Sequence, residues 1–137
     1  MTPVKSFTVF REAVEVLVNG SMTGGASAVI LLTDAPGGGP PPHKHRKEDE
    51  TFVVLEGDFE ILVEGQWHPI VKGEPVFAPR GLVHTYRNSG STTGKLCLFV
   101  APAGFEDYLE ELGPYLPPTD MPKILEISER YGISFHM

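Results

Sequence analysis

The sequence predicts an all-β fold, a barrel or sandwich of short strands followed by two short helices. Three observations carry this reading. Between residues 7 and 101, runs rich in Val, Ile and Phe are separated at close spacing by turns rich in Gly and Asn. After Pro102 the apolar positions change to the helical spacing of three and four. The chain has 137 residues, 41% hydrophobic and 21% charged, enough for one well-buried core and too few for two comfortable domains.

In chain order the strand candidates are FTVF, AVEVLV, ASAVILLT, ETFVVLEG, DFEILVEG, HPIV, VFAP, VHTYR and KLCLFVAP. The stretches FEILVEGQW and VLVNGSMTGGASAVI read as hairpins. GGGPPP, residues 37–42, reads as a stiff loop rather than a linker between domains. In GFEDYLEELG, Phe105, Tyr108, Leu109 and Leu112 share one helical face and Gly113 ends it. A second helix is expected from about Met121 to Tyr131, with Pro122 in its first turn, Ile124, Ile127 and Tyr131 along one face, and Gly132 after its end. Both helices are expected on the barrel exterior or against a neighbouring subunit. The expected organisation is a single domain over residues 1–137, with a barrel over about 7–101 and a helical extension over about 104–137.

The net charge is −7, and much of it lies in that extension, where seven acids from Glu106 to Glu129 face only Lys123 and Arg130. An acidic tail beside a near-neutral body argues against nucleic acid as a partner, since phosphate binding needs a basic face. No apolar run is long enough for a membrane helix, and the N-terminus lacks the succession of basic, apolar and small residues of an export signal, so the expected location is the cytoplasm, with no membrane partner. Cys97, the single cysteine, is expected to be a buried core thiol. His68 and His136 are expected in exposed settings.

The chemistry concentrates in GGGPPPHKHRKEDETFVVLEG, residues 37–57. Side chains two apart on a strand share a face, so His43 and His45 can converge on one ion while Lys44 points away. Neutral imidazole is a common metal ligand, and Glu50 is the carboxylate that a turn in the charged segment before it could bring alongside. Taken alone, the pattern suits a polar strand edge as well as half of a metal site.

A second segment, GEPVFAPRGLVHTYRN, residues 73–88, changes the balance. Gly37, His43, His45, Glu50 and Gly57, followed by Gly73, Pro79, Gly81, His84 and Asn88, resemble the two motifs of the cupin superfamily, at every fixed position. The chain is similar to its small single-domain members of the quercetinase-like and RmlC-like kind. The resemblance implies a double-stranded β-helix, a jelly-roll barrel, holding one divalent transition metal on His43, His45, Glu50 and His84. It also implies a homodimer. The metal is Fe, Mn, Ni, Cu, Co or Zn, since mixed imidazole and carboxylate donors suit all of these.

Alternation then places Phe52 and Val54 on the inward face with Glu50, and Tyr86 with His84, while Arg87 points out. These three form the expected substrate pocket, apolar and aromatic, with no obvious cation in it. Arg11, Arg80 and Gln66 are the polar residues whose place the sequence leaves open. The expected function is a metal-dependent enzyme of dioxygenase type acting on an apolar or aromatic small molecule, with Glu50 and Tyr86 as the catalytic candidates. The alternatives are a metal-dependent isomerase or lyase and a non-catalytic small-molecule-binding protein.

Overall fold

The computed structural model describes residues 2–136. Two antiparallel sheets face each other as a jelly roll. The six-stranded sheet runs β1 (Lys5–Val9), β2 (Glu12–Val18), β3 (Ala28–Asp34), β10 (Gly94–Ala101), β5 (Asp49–Glu56) and β8 (Val76–Ala78). The five-stranded sheet runs β11 (Ile133–Phe135), β4 (His43–His45), β9 (His84–Asn88), β6 (Phe59–Val63) and β7 (Gln66–Ile70). Three helices complete the chain, α1 (Gly20–Thr23), α2 (Phe105–Leu112) and α3 (Met121–Tyr131).

Strict alternation builds the core. Along β3, Ala28, Ile30 and Leu32 point inward, and along β10, Leu96, Leu98 and Val100 meet them. Phe52, Val54, Phe59 and Ile61 fill the space between the sheets. The predicted hairpin FEILVEGQW is β6 paired to β7, and the second is β2 paired to β3 with α1 in its connection.

Three expectations change. Cys97 alternates with buried Leu96 and Leu98, so it lies half-buried on the outer face of the sheet and not in the core. The extension after residue 104 is not helical to its end, because ISF forms β11 and pairs with the histidine strand, Ile133 opposite His45 and Phe135 opposite His43. A three-residue strand following a helix-ending glycine is too short to show a period of its own. Finally, α2 does not sit on the barrel exterior. Phe105, Tyr108, Leu109 and Leu112 line the internal cavity, and α3 packs behind α2 through Ile124, Ile127 and a Tyr108 to Ser128 hydroxyl contact at 2.7 Å. The buried Glu106 carboxylate anchors α2 by accepting from the Gly20 and Gly104 amides at 2.8 and 2.7 Å.

The glycine-proline loop is held by Asn88. Its side-chain amide donates to the Asp34 and Thr92 carbonyls at 2.9 and 2.8 Å, and the backbone of β9 exchanges hydrogen bonds with Gly37 and Gly38. Within the loop, Gly39 has φ of 154°, and a Cβ there would lie 2.1 Å from the Tyr86 carbonyl oxygen. Gly65, in the β6–β7 turn, has φ of 77° but open space around it. Gly39→Ala is therefore expected to cost more than about 2 kcal/mol and Gly65→Ala about 1 kcal/mol, measured by chemical denaturation. Equal effects at the two sites would contradict the close approach.

Candidate metal centre

The residues picked from the sequence converge. His43 and His45 come from β4, and His84 comes from β9, directly opposite His43 in register. Glu50 comes from β5 in the other sheet. The Pro79–Gly81 turn sets the approach of His84, with the Gly81 amide donating to the His45 carbonyl at 2.8 Å. All four side chains are buried, and their donor atoms lie within 4.8 Å of one another.

Each imidazole is oriented from behind. His43 Nδ1 donates to the Pro41 carbonyl at 2.8 Å, His84 Nδ1 to the Leu82 carbonyl at 2.9 Å, and His45 Nδ1 to the Glu48 carboxylate at 2.7 Å. An acceptor-only partner on every Nδ1 fixes the proton there and turns the three Nε2 atoms inward, the arrangement in which metal-ligating histidines are held. Glu50 Oε1 lies 2.9 Å from both His45 Nε2 and His84 Nε2. His45 Nε2 is nevertheless left without a well-aligned hydrogen-bond partner although it is buried. An orphaned, inward-facing nitrogen beside a carboxylate fits a divalent transition ion, and this donor set leaves the identity of the ion open.

Charge on the metal-free cluster is sharply divided. Burial, then the neighbouring His45, lowers His43 to about 3, so it stays neutral. Burial opposes a charge on His45 as well, yet Glu50 and Glu48 raise it to about 9. Burial also works against an ionised Glu50, but His45 and His84 hold its carboxyl well below the usual range.

Only His43 and Glu50 of the four open onto the adjoining cavity, of about 380 Å³. Tyr86 is on its wall, as expected, with its hydroxyl donating to Glu12 Oε2 at 2.6 Å. Phe52 and Val54 face inward as alternation requires, but they belong to the packed core and do not line the cavity; the Phe52 ring meets His84 edge to face and Tyr86 at a tilt, with centroids 5.7 Å apart in each case. The lining also corrects the expectation of an apolar pocket with no obvious cation. Arg11 lines it from the β1–β2 turn, and Glu12 and Asp34 line it from β2 and β3. Arg80 lies outside, paired with Asp49, and Arg87 covers the Trp67 ring at 3.8 Å. Glu12 and Asp34 were legible by the same alternation, since they continue the inward faces of Val14 with Val16 and of Ile30 with Leu32.

Comparison with known proteins agrees with this geometry. A family model described as Cupin domain matches residues 30–101. An uncharacterized protein of Aquifex aeolicus (strain VF5) is 40% identical over 57 residues, 42% of this chain and 47% of that protein. Quercetin 2,3-dioxygenase of Bacillus subtilis (strain 168) is 30% identical over 83 residues, 61% of this chain and 25% of that protein. The matched segments thus span less than half of both curated relatives. A solved structure of an uncharacterized conserved protein with a double-stranded β-helix domain, from Klebsiella pneumoniae subsp. pneumoniae MGH 78578, aligns with a TM-score of 0.58 at 25% identity, over 66% of this chain and 76% of that one.

Two outcomes follow for metal binding. Elemental analysis is expected to give about one transition metal per chain, lost in His84→Ala. Because His45 titrates near 9 in the metal-free cluster, the ion must displace its proton at pH 7, whereas His43 has none to lose. Apparent affinity should therefore rise with pH up to about 9 and weaken about tenfold per unit below it. Calorimetry at pH 7 in buffers of different ionisation heat should show about one proton released per ion bound; no release would contradict the charge distribution.

Proposed function

This chain belongs to the cupin domain family, and from that premise we propose that it is a metal-dependent small-molecule enzyme of dioxygenase type. Its substrate is an apolar or aromatic compound carrying hydroxyl, enol or carboxylate oxygens. The observation that carries the reading is that His43 and Glu50 form part of the cavity wall, so a ligand in the cavity can reach an ion held by the cluster. Resemblance to a quercetin dioxygenase over 83 residues supports the oxygen-dependent chemistry.

His43, His45, Glu50 and His84 would hold the ion, which supplies open coordination positions for substrate oxygen and dioxygen. The protein's own part is to position and deprotonate. Leu32, Leu98 and the α2 side chains Phe105, Tyr108 and Leu109 form an apolar sleeve that excludes water from a flat ring. Glu50 is ionised and faces the cavity, so it is placed to take the proton of a substrate hydroxyl. Tyr86 fixes Glu12 through its hydroxyl and contributes its ring to the wall.

A homodimer is part of the proposal. Antiparallel sheets with one wet face carry polar residues there, yet the outer face of the six-stranded sheet presents Val29, Leu31, Val53 and Cys97, with Phe77 61% and Phe99 45% exposed. Thr51 pairs with both phenylalanines, which therefore form one patch. An exposed apolar patch of this kind suits a two-fold contact with a second copy.

With quercetin as first substrate and the protein loaded in turn with iron, manganese, cobalt, nickel and copper, oxygen uptake is expected to match substrate loss and to vanish in His84→Ala. Turnover without oxygen consumption would overturn the dioxygenase reading in favour of an isomerase or lyase, and tight binding without product would favour a binding protein. By sedimentation, the native chain is expected as a dimer and Phe99→Asp as a monomer; a monomeric native chain would refute the interface.

A further inference from the structure

The cavity has a second polar wall that the metal centre does not use. Residues Ala13 and Thr33 are paired across β2 and β3, and Val14 with Leu32, so the same register sets Glu12 directly opposite Asp34. Cross-strand neighbours stand with their Cβ atoms about 5 Å apart, and two ionised carboxyls in that position repel. Both line the cavity that His43 and Glu50 also line. Asp34 is only 2% exposed, and its Oδ2 is buried with no hydrogen-bond partner. Tyr86 pins the other member from the facing sheet by donating to Glu12 Oε2.

The charge state completes the picture. Burial, then Asp34, pushes Glu12 well above the ordinary carboxyl range, and burial raises Asp34 while the hydrogen bond from Glu12 pulls it back. The pair therefore shares one proton, held mainly on Glu12. With that proton turned onto Asp34, the buried Asp34 Oδ2 remains an acceptor that no protein group satisfies. A ligand hydroxyl can donate to that oxygen without carrying a full charge into an otherwise apolar chamber, as an ammonium would.

The spacing of the two polar stations describes the ligand further. On the intervening strand β10, Asp34 faces Gly94 and Glu50 faces Val100. Six residues of extended strand cover roughly 20 Å at the backbone, before the side chains reach inward. Leu98 lies between those levels and lines the cavity. A ligand touching both stations is elongated, with an apolar middle.

We propose that Glu12 and Asp34 form a second binding station, where a hydroxyl group of an elongated, two- or three-ring ligand is anchored while its other oxygens face the histidine cluster. This ligand class rests on the metal-dependent reading above. The station itself rests on the unpartnered Asp34 oxygen.

The test uses protein loaded with zinc to suppress turnover, and two probes. 3-Hydroxyflavone carries the adjacent hydroxyl and carbonyl that a metal can take, and quercetin adds further hydroxyls at the ring ends. Native protein is expected to bind quercetin about tenfold more tightly than 3-hydroxyflavone, the scale of one hydrogen bond to a charged acceptor. Asp34→Leu should abolish that gain while leaving zinc content and 3-hydroxyflavone affinity within about twofold. Asp34→Asn, isosteric and so a safeguard should the leucine variant not fold, should reduce the gain several-fold, and Glu12→Gln, which keeps a donor, should retain most of it. Equal affinity of native protein for the two probes, or a gain that survives both Asp34 changes, would overturn the station and leave the metal reading standing. Binding of neither probe would overturn this ligand class together with the reading it rests on.

Discussion

Glu50 sets the terms for the rest of the structure. Its carboxylate is 2% exposed, and an ionised group removed that far from water is tolerated only with positive charge or a metal ion close by. In the metal-free cluster that charge sits on His45, raised to about 9, and from the opposite sheet His45 and His84 each bring a nitrogen to 2.9 Å. The interaction therefore joins the two layers of the jelly roll at one point. It also dictates the outer ring of contacts, since an imidazole that must present Nε2 inward needs an acceptor behind Nδ1. Pro41, Leu82 and Glu48 supply those acceptors.

The chemistry is distributed by sheet. All three histidines of the centre stand on the five-stranded sheet, while Glu50, Asp34 and Glu12 stand on the six-stranded one. A ligand between the layers would meet imidazole and carboxylate together at one end and, at the other, carboxyls braced by Tyr86, with Arg11 next to Glu12 in the chain. Helix α2 gives this arrangement its depth. Without Phe105, Tyr108, Leu109 and Leu112 over the cavity, the sleeve would open to water, and electrostatic contrast between its two ends would be screened. The segment least covered by the sequence motifs is thus the one that converts a metal cluster into a binding chamber.

Much of the architecture was legible in the sequence through local rules, whereas the four residues that cluster were legible as a set only through the resemblance of the two motifs. Two-residue alternation placed His43 with His45, and His84 with Tyr86, and helical spacing located α2 and α3 with their glycine stops. The illegible parts depend on where elements go once formed. Amphipathic spacing shows that Phe105 and Leu109 are buried but not against what, so α2 was expected outside. Alternation shows Phe52 facing inward without distinguishing core from cavity wall. Cys97 illustrates the opposite hazard: in KLCLFV every residue is apolar, so the run gives no alternation to read, and the face can be assigned only once Leu96 and Leu98 are seen to be buried.

Glu12 and Asp34 lie between these cases. Each occupies an inward position in an otherwise apolar alternation, EAVEVLV and AVILLTD. Evenly spaced valines and leucines would fill such positions at lower cost, because a buried carboxyl either gives up its charge or needs a partner. One acid of this kind can be a strand end reaching for solvent. Two placed opposite each other across β2 and β3, with a tyrosine hydroxyl turned onto one and an oxygen of the other left without a partner, are a polar pair left incomplete inside the barrel. What completes such a pair has to enter through the same chamber that leads to the histidines, so the two polar sites constrain one ligand rather than two.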